Sequence, residues 1–509
     1  MCLKNSNPVN MRSSGIFFIL FLVLPGFIVA QEAITNSILN DHDSFYYINT
    51  KEYPTGVKNL PIGVFDSGIG GLTVLDAIVN FDGYNNATLD PGADGEIDFK
   101  KEEFIYLADQ ANMPYGNYSA ENKNSLLLEH ILKDVQFILD SKYYPSPDSK
   151  TYKKDKSPIK ALVIACNTAT AYGKENIEAF LKKAQLDIKV IGVIDAGVRG
   201  SLENLDPAED ATIAVMATAG TVSSKGYVNT LYEQIKNLGY TGNIEVFQQG
   251  GVGIAEAVDE DSDYFDKNLT SPRESYKGPD FKGNLKIDKA LLDIYNFDFE
   301  DFKMLCDATG SDDCNILQIN DAENYVRYHL VSLMEQLRTA NVQQPLKSII
   351  LGCTHYPYLT AEIEKVLEEL YNYKNEKGNY RYRQFMAEEI KLIDPAVNTA
   401  LELFQFLNQE ALFNETGHIN NSEFYISVPN RDNNSIRINE NGDFPYEYKY
   451  GRNEGEIQEY VKVVPFSRRS ISKDILSRLD LQLPFTYKLI ESFNSANSKT
   501  ATLETADKI

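Results

Sequence analysis

Two short stretches of this chain share one design. Ala161-Leu162-Val163-Ile164-Ala165-Cys166-Asn167-Thr168 is an apolar run ending in a cysteine and small polar residues, and Ser348-Ile349-Ile350-Leu351-Gly352-Cys353-Thr354-His355 repeats it. Each reads as a buried strand of a parallel sheet that opens into a loop at its carboxyl end. Open α/β sheets place their ligand chemistry at such ends. From Leu60 onward, strand-like and helix-like segments alternate, which predicts an α/β fold. One series runs through Pro61–Phe65, Phe104–Leu107, Ala161–Ala165 and Val190–Ile194. A second runs through Thr212–Met216, Ile244–Phe247 and Ser348–Leu351.

With 509 residues, 43% of them hydrophobic, the chain can bury a large core in more than one domain. A net charge of −24 leaves no basic footprint for nucleic acid. An anionic substrate would need local donors. At the amino terminus, Lys4 and Arg12 precede an apolar run from Ile16 to Ala30, broken by Pro25-Gly26. That pattern predicts a cleaved signal peptide over 1–30, hence export to the periplasm or the extracellular space, with no membrane span in the mature chain. Cys306 and Cys314 flank a polar stretch whose spacing suits a small disulfide loop.

Asp66-Ser67-Gly68-Ile69-Gly70-Gly71 is a strand-to-helix loop whose amides can close around a carboxylate or phosphate. Its glycine spacing is not that of a dinucleotide site. Pro114-Tyr115-Gly116, Ala165-Cys166-Asn167-Thr168-Ala169, Gly220-Thr221 and Gly352-Cys353-Thr354-His355-Tyr356-Pro357 follow in order. Together these motifs resemble the glutamate racemase family of the aspartate/glutamate racemase superfamily, over residues 60–256 and 345–404.

The resemblance implies two pseudo-symmetric α/β domains with parallel central sheets, an active site in the cleft between them and no cofactor. It implies catalytic roles for Cys166 and Cys353, assisted by Asp66 and His355. Asp66, Ser67, Tyr115, Gly116, Asn167, Thr168, Thr354 and His355 fall at substrate-binding positions. The family's acidic helper falls near Gln248–Glu256, where Glu256, Asp259 and Glu260 all qualify. The implied organisation is a signal peptide (1–30), an N-terminal extension (31–59), a first domain (60–196 and 385–494, with an insertion over 412–459), a second domain (197–384, with an insertion over 259–321) and a disordered tail (495–509). The expected substrate is glutamate, with aspartate or a broader amino-acid set as alternatives within the superfamily. A non-catalytic, exported two-lobed binding protein is the alternative from another class. The family's usual task, supplying D-glutamate for cell-wall peptidoglycan in the cytoplasm, sits poorly with an exported copy. Assembly as a homodimer is left open.

The residues make chemical sense without the family. A Cα–H is a weak acid, so it needs a close base on one face and an acid on the other. Thiols suit both roles because their free pKa, about 8.5, can be moved by neighbours. Zinc is disfavoured, since Cys-x-His supplies only part of a four-ligand set. The stretch Asp90–Asp98 resembles half of a calcium loop, but Gly92 and Lys101 break the pattern, and an acidic surface turn is the expected reading.

Overall fold

A computed structural model describes residues 25–54, 56–283, 285–308 and 314–509. Most of the signal-peptide segment therefore lies outside the described residues. Among the described residues there are twelve strands: β1 (Ile62–Asp66), β2 (Phe104–Ala108), β3 (Ala161–Ile164), β4 (Lys189–Gly192), β5 (Ala211–Ala217), β6 (Ile244–Gly250), β7 (Met304–Cys306), β8 (Leu317–Ile319), β9 (Leu346–Gly352), β10 (Met386–Ile393), β11 (Glu423–Pro429) and β12 (Val461–Pro465).

They form a six-stranded sheet, β12-β11-β2-β1-β3-β4, a four-stranded sheet, β10-β9-β5-β6, and a small antiparallel pair, β7-β8. In the larger sheet only β12 runs antiparallel; the smaller one is parallel throughout. β1, β2, β3 and β5 are buried at every position, which is why they read as continuous apolar runs. Gly63 in β1 is a close-packing glycine: a Cβ there would lie 2.3 Å from Ile138 on the helix Asn124–Leu139.

The two sheets repeat one order. The first contains β2-β1-β3-β4 and the second β6-β5-β9-β10, so each opens with a central strand, adds a neighbour on one side, then crosses to the other. The crossing point, where a crevice opens at the carboxyl ends, falls between β1 and β3 in one sheet and between β5 and β9 in the other. Cys166 follows β3 and Cys353 follows β9. Equivalent strands thus deliver the two thiols.

Several expected boundaries move. β10 pairs with β9, so the second lobe extends to Ile393 rather than ending at 384. The stretch 412–459 is part of the first lobe's framework, because its β11 lies parallel against β2. The polar stretch 259–321 is folded: Ile287, Leu317 and Ile319 are fully buried in the second lobe's core, and Cys306–Cys314 is a disulfide. Residues 495–509, expected to be disordered, sit on the first lobe instead. Lys499 Nζ pairs with Glu423 at 2.5 Å, Thr500 is fully buried, and Ile509 N–H donates to Asn494. At the other end, the helix Pro25–Leu39 runs across the expected cleavage point after Ala30, and buries Ile34 and Ile38 in the first lobe's core.

Among the described residues no helix is long and apolar enough to cross a membrane. The Asp90–Asp98 stretch is an acidic turn whose carboxylates cap backbone amides: Asp94 accepts from Asn86, and Asp98 from Gly83 and Tyr84. Among the described residues only Cys306, Asp307 and Cys314 bring metal-type ligand atoms together, and the two cysteines are bonded to each other.

Candidate active site

Asp66 is the last residue of β1, and the following loop folds back over it. Its Oδ2 accepts from Gly71 N–H at 2.8 Å and Gly68 N–H at 3.2 Å. Gly71 is required there, since a Cβ would stand 2.5 Å from Asp66 Cβ. Burial raises the Asp66 pKa, and the hydrogen bonds from Gly71 and Cys166 offset part of that rise.

Cys166 caps the helix Asn167–Ala184, accepting Ala169 N–H at 3.4 Å, and Ser67 Oγ lies 3.6 Å from its sulfur. A helix amino terminus favours a thiolate. Burial and the Asp66 charge oppose it and win, pushing the Cys166 pKa up to about 12. Cys166 therefore rests as a thiol.

Cys353 has different company. His355 Nδ1 is 3.6 Å from its sulfur, and His355 Nε2 is 3.2 Å from Asp259 Oδ2. Burial would lower the His355 pKa, but the hydrogen bonds to Asp259 and Cys353 outweigh it and raise it to about 10. His355 is thus an imidazolium at neutral pH, its two N–H groups aimed at a sulfur and a carboxylate. Thr354 Oγ1 lies 3.5 Å from the same Nδ1.

This geometry separates the three acidic candidates. Glu256 turns back to accept Gly253 N–H at 2.8 Å, and Glu260 faces Lys267 at 3.9 Å. Asp259 alone of the three pairs with His355. The loop leading to it is braced by His329, which burial holds neutral at about 4 and which bonds Val252 O and Gln249.

Asn167 joins the two lobes between the cysteines. Its Nδ2 donates to Gly352 O at 3.2 Å, and its Oδ1 accepts from Tyr227 OH at 3.0 Å. Tyr227 is fully buried, packs under Gly352, and was not singled out from sequence. Thr168 lies in the first turn after Cys166, and Gly116 starts the short helix Gly116–Ala120.

The hydroxyl of Tyr115, a residue expected at a substrate-binding position, is engaged by two carboxylates. It contacts Asp109 Oδ2 at 2.7 Å and Asp134 Oδ2 at 2.5 Å. One phenolic proton cannot serve two carboxylates, so one of them must carry its own. Burial and the neighbouring Asp109 charge raise Asp134 well above the usual carboxylate range, which makes Asp134 the protonated partner. Tyr115 braces the loop before Gly116 from beneath.

No protein-family model matches the chain. Individual proteins do. A glutamate racemase of Oceanobacillus iheyensis is 26% identical over 366 residues, 72% of this chain and 86% of that protein. One from Campylobacter jejuni is 30% identical over 221 residues, 42% of this chain and 69% of its own length. Among solved structures, the glutamate racemase from Francisella tularensis in complex with D-glutamate aligns at 21% identity and TM-score 0.39, covering 79% of this chain and 94% of that one. The sequence relatives make the chain an isomerase of the amino-acid racemase class. More narrowly, it belongs to the glutamate racemase family.

Proposed function

We propose that the protein interconverts L- and D-glutamate without a cofactor, using Cys166 and Cys353 as opposed acid and base. The observation that carries this reading is the repeat of strand order, which brings two thiols to equivalent positions while Asn167 ties their loops together. A substrate lying between those loops would meet one sulfur on each face of Cα.

In one direction the Cys353 thiolate, paired with the His355 imidazolium, takes the Cα proton. The Cys166 thiol then delivers its own proton to the opposite face, and Asp66 accepts the hydrogen bond that keeps this thiol oriented. The other direction reverses the roles. Negative charge developing on the substrate carboxylate would be met by hydroxyls of Ser67, Thr168 and Thr354 and by amides at the start of the helix Asn167–Ala184. Asp259 and Asp66 assist one sulfur each.

The test is exchange of the glutamate Cα proton in deuterated water, followed for each enantiomer beside the appearance of the opposite hand. Exchange with racemisation supports the reading, whereas binding without exchange would make the chain a receptor. Running aspartate, alanine and serine in parallel sets the side-chain preference. Export is a separate proposal resting on residues 1–30. Fractionation with amino-terminal sequencing tests it, and full-length protein in the cytosol would end it.

A further inference from the structure

Asp259 has two carboxylate oxygens, and they face different lobes. Oδ2 meets His355 in the second lobe, and Oδ1 meets Arg478 Nη1 at 3.2 Å. The same Nη1 donates to Asp259 O at 3.3 Å. Arg478 lies on the helix Lys473–Gln482, beyond the segments where the sequence carries the racemase motifs. That helix belongs to the first lobe, for its Leu476 and Leu479 are buried in the same core as β1 and β2. The following helix, Pro484–Ala496, is fixed to the helix after the Asp66 loop by Thr486 Oγ1 donating to Asp76 at 2.7 Å. Arg478 therefore reaches across the cleft.

We propose that Arg478 is a positioning residue of the Cys353 half-site, holding Asp259 aligned with His355 only while the two lobes are together. A carboxylate on a short side chain rotates freely unless both oxygens are engaged. Here one oxygen and the backbone carbonyl are clamped by one guanidinium, which leaves Oδ2 directed at His355 Nε2. Both partners are partly exposed, at 44% and 38%, so the pair adds little to stability and can part when the lobes separate. Asp66 has no such dependence, because the amides of its own loop hold it. Opening the cleft would thus dissolve one helper and leave the other intact.

This inference rests on Cys353 acting as an acid–base group, and its test is chosen to fail separately. In the full chain, iodoacetamide labelling rates of Cys353 and Cys166 are measured by peptide mapping, together with kcat and KM for both enantiomers. Arg478→Ala should lower kcat and the Cys353:Cys166 labelling ratio together, by roughly two- to fivefold, the range of a partly exposed pair. Arg478→Lys should recover part of both, and Arg478→Gln, which keeps a polar tip without the charge, should repeat the loss. In an Asp259→Asn background, Arg478→Ala should change neither quantity further. An unchanged ratio, equal acceleration of both cysteines, or additive losses in the double variant would overturn the proposal. If Cys353→Ser itself kept full racemase activity, the two-thiol reading would fall instead.

Discussion

The two half-sites are built on equivalent strands yet are chemically unlike. Cys166 has a buried carboxylate neighbour anchored by its own loop, whereas Cys353 has an imidazolium backed by a carboxylate from a different segment. Around Cys166 the net effect keeps a proton on sulfur; around Cys353 a positive ring faces the sulfur. The fold's symmetry supplies positions, and the side chains around each position give the two sulfurs different electrostatic surroundings. A racemase must handle both hands of its substrate, but nothing requires its empty site to be symmetric.

The largest expected effect comes from the sulfurs. Cys166→Ser and Cys353→Ser should each lower racemisation by about 10³-fold, the scale of losing a positioned acid or base. Each variant should keep Cα exchange for at most one enantiomer. Retention of most activity in both would erase the distinction between the halves along with the mechanism.

Next come the helpers. Asp66→Asn and His355→Asn should each slow turnover by about 10²-fold. Detailed balance holds the ratio of overall kcat/KM for an enantiomer pair at unity, so the asymmetry must be read from primary deuterium isotope effects measured per enantiomer. These should change unequally, and in opposite senses for the two variants. Identical changes would mean that neither helper belongs to one cysteine.

A titration sharpens the contrast further. The folded pKa of His355 is raised from 6.5 to about 10, so the stability it contributes is fully present below about 6.5 and is lost as pH rises through about 10. Ring resonances of His355 in NMR should still report an imidazolium at pH 8, and Asp259→Asn should move the titration towards the ordinary value. A neutral ring at pH 8 in the unaltered protein would remove the proposed resting state. The smallest effect is expected at the disulfide. Cys306 and Cys314 should resist alkylation without reductant, and replacing both by serine should leave turnover within about twofold, because neither the strand β7 that ends in Cys306 nor Cys314 contributes a side chain to the candidate site.

Much of this was legible before any coordinates. β1, β2, β3 and β5 announce themselves because both faces of a central parallel strand are apolar. β10 does not: as an edge strand it carries Glu388, Glu389 and Lys391 on exposed positions, a pattern that reads as loop or helix surface. β11 was hidden for a different reason, since Phe424–Val428 is strand-like but sits between polar stretches that resemble an insertion. Within the site, both cysteines, Asp66 and His355 follow from short motifs. Choosing Asp259 over Glu256 and Glu260 needed the turn of backbone after Val258, which the sequence leaves open. Tyr115 follows from its motif, but the carboxylate pair that engages its hydroxyl does not. Arg478 gave no signal, being 219 residues from its partner.

The repeated strand order has one more consequence. A two-fold dimer of half-length chains, each with the order of β2-β1-β3-β4, would also bring two sulfurs to one cleft. In such a dimer every substitution lands on both faces at once, so the two sulfurs are condemned to identical surroundings. Joining the copies into a single polypeptide removes that restriction. One copy can then acquire a histidine, a carboxylate and an arginine reaching over from the opposite lobe while the other keeps an aspartate, and the two faces can be adjusted one mutation at a time.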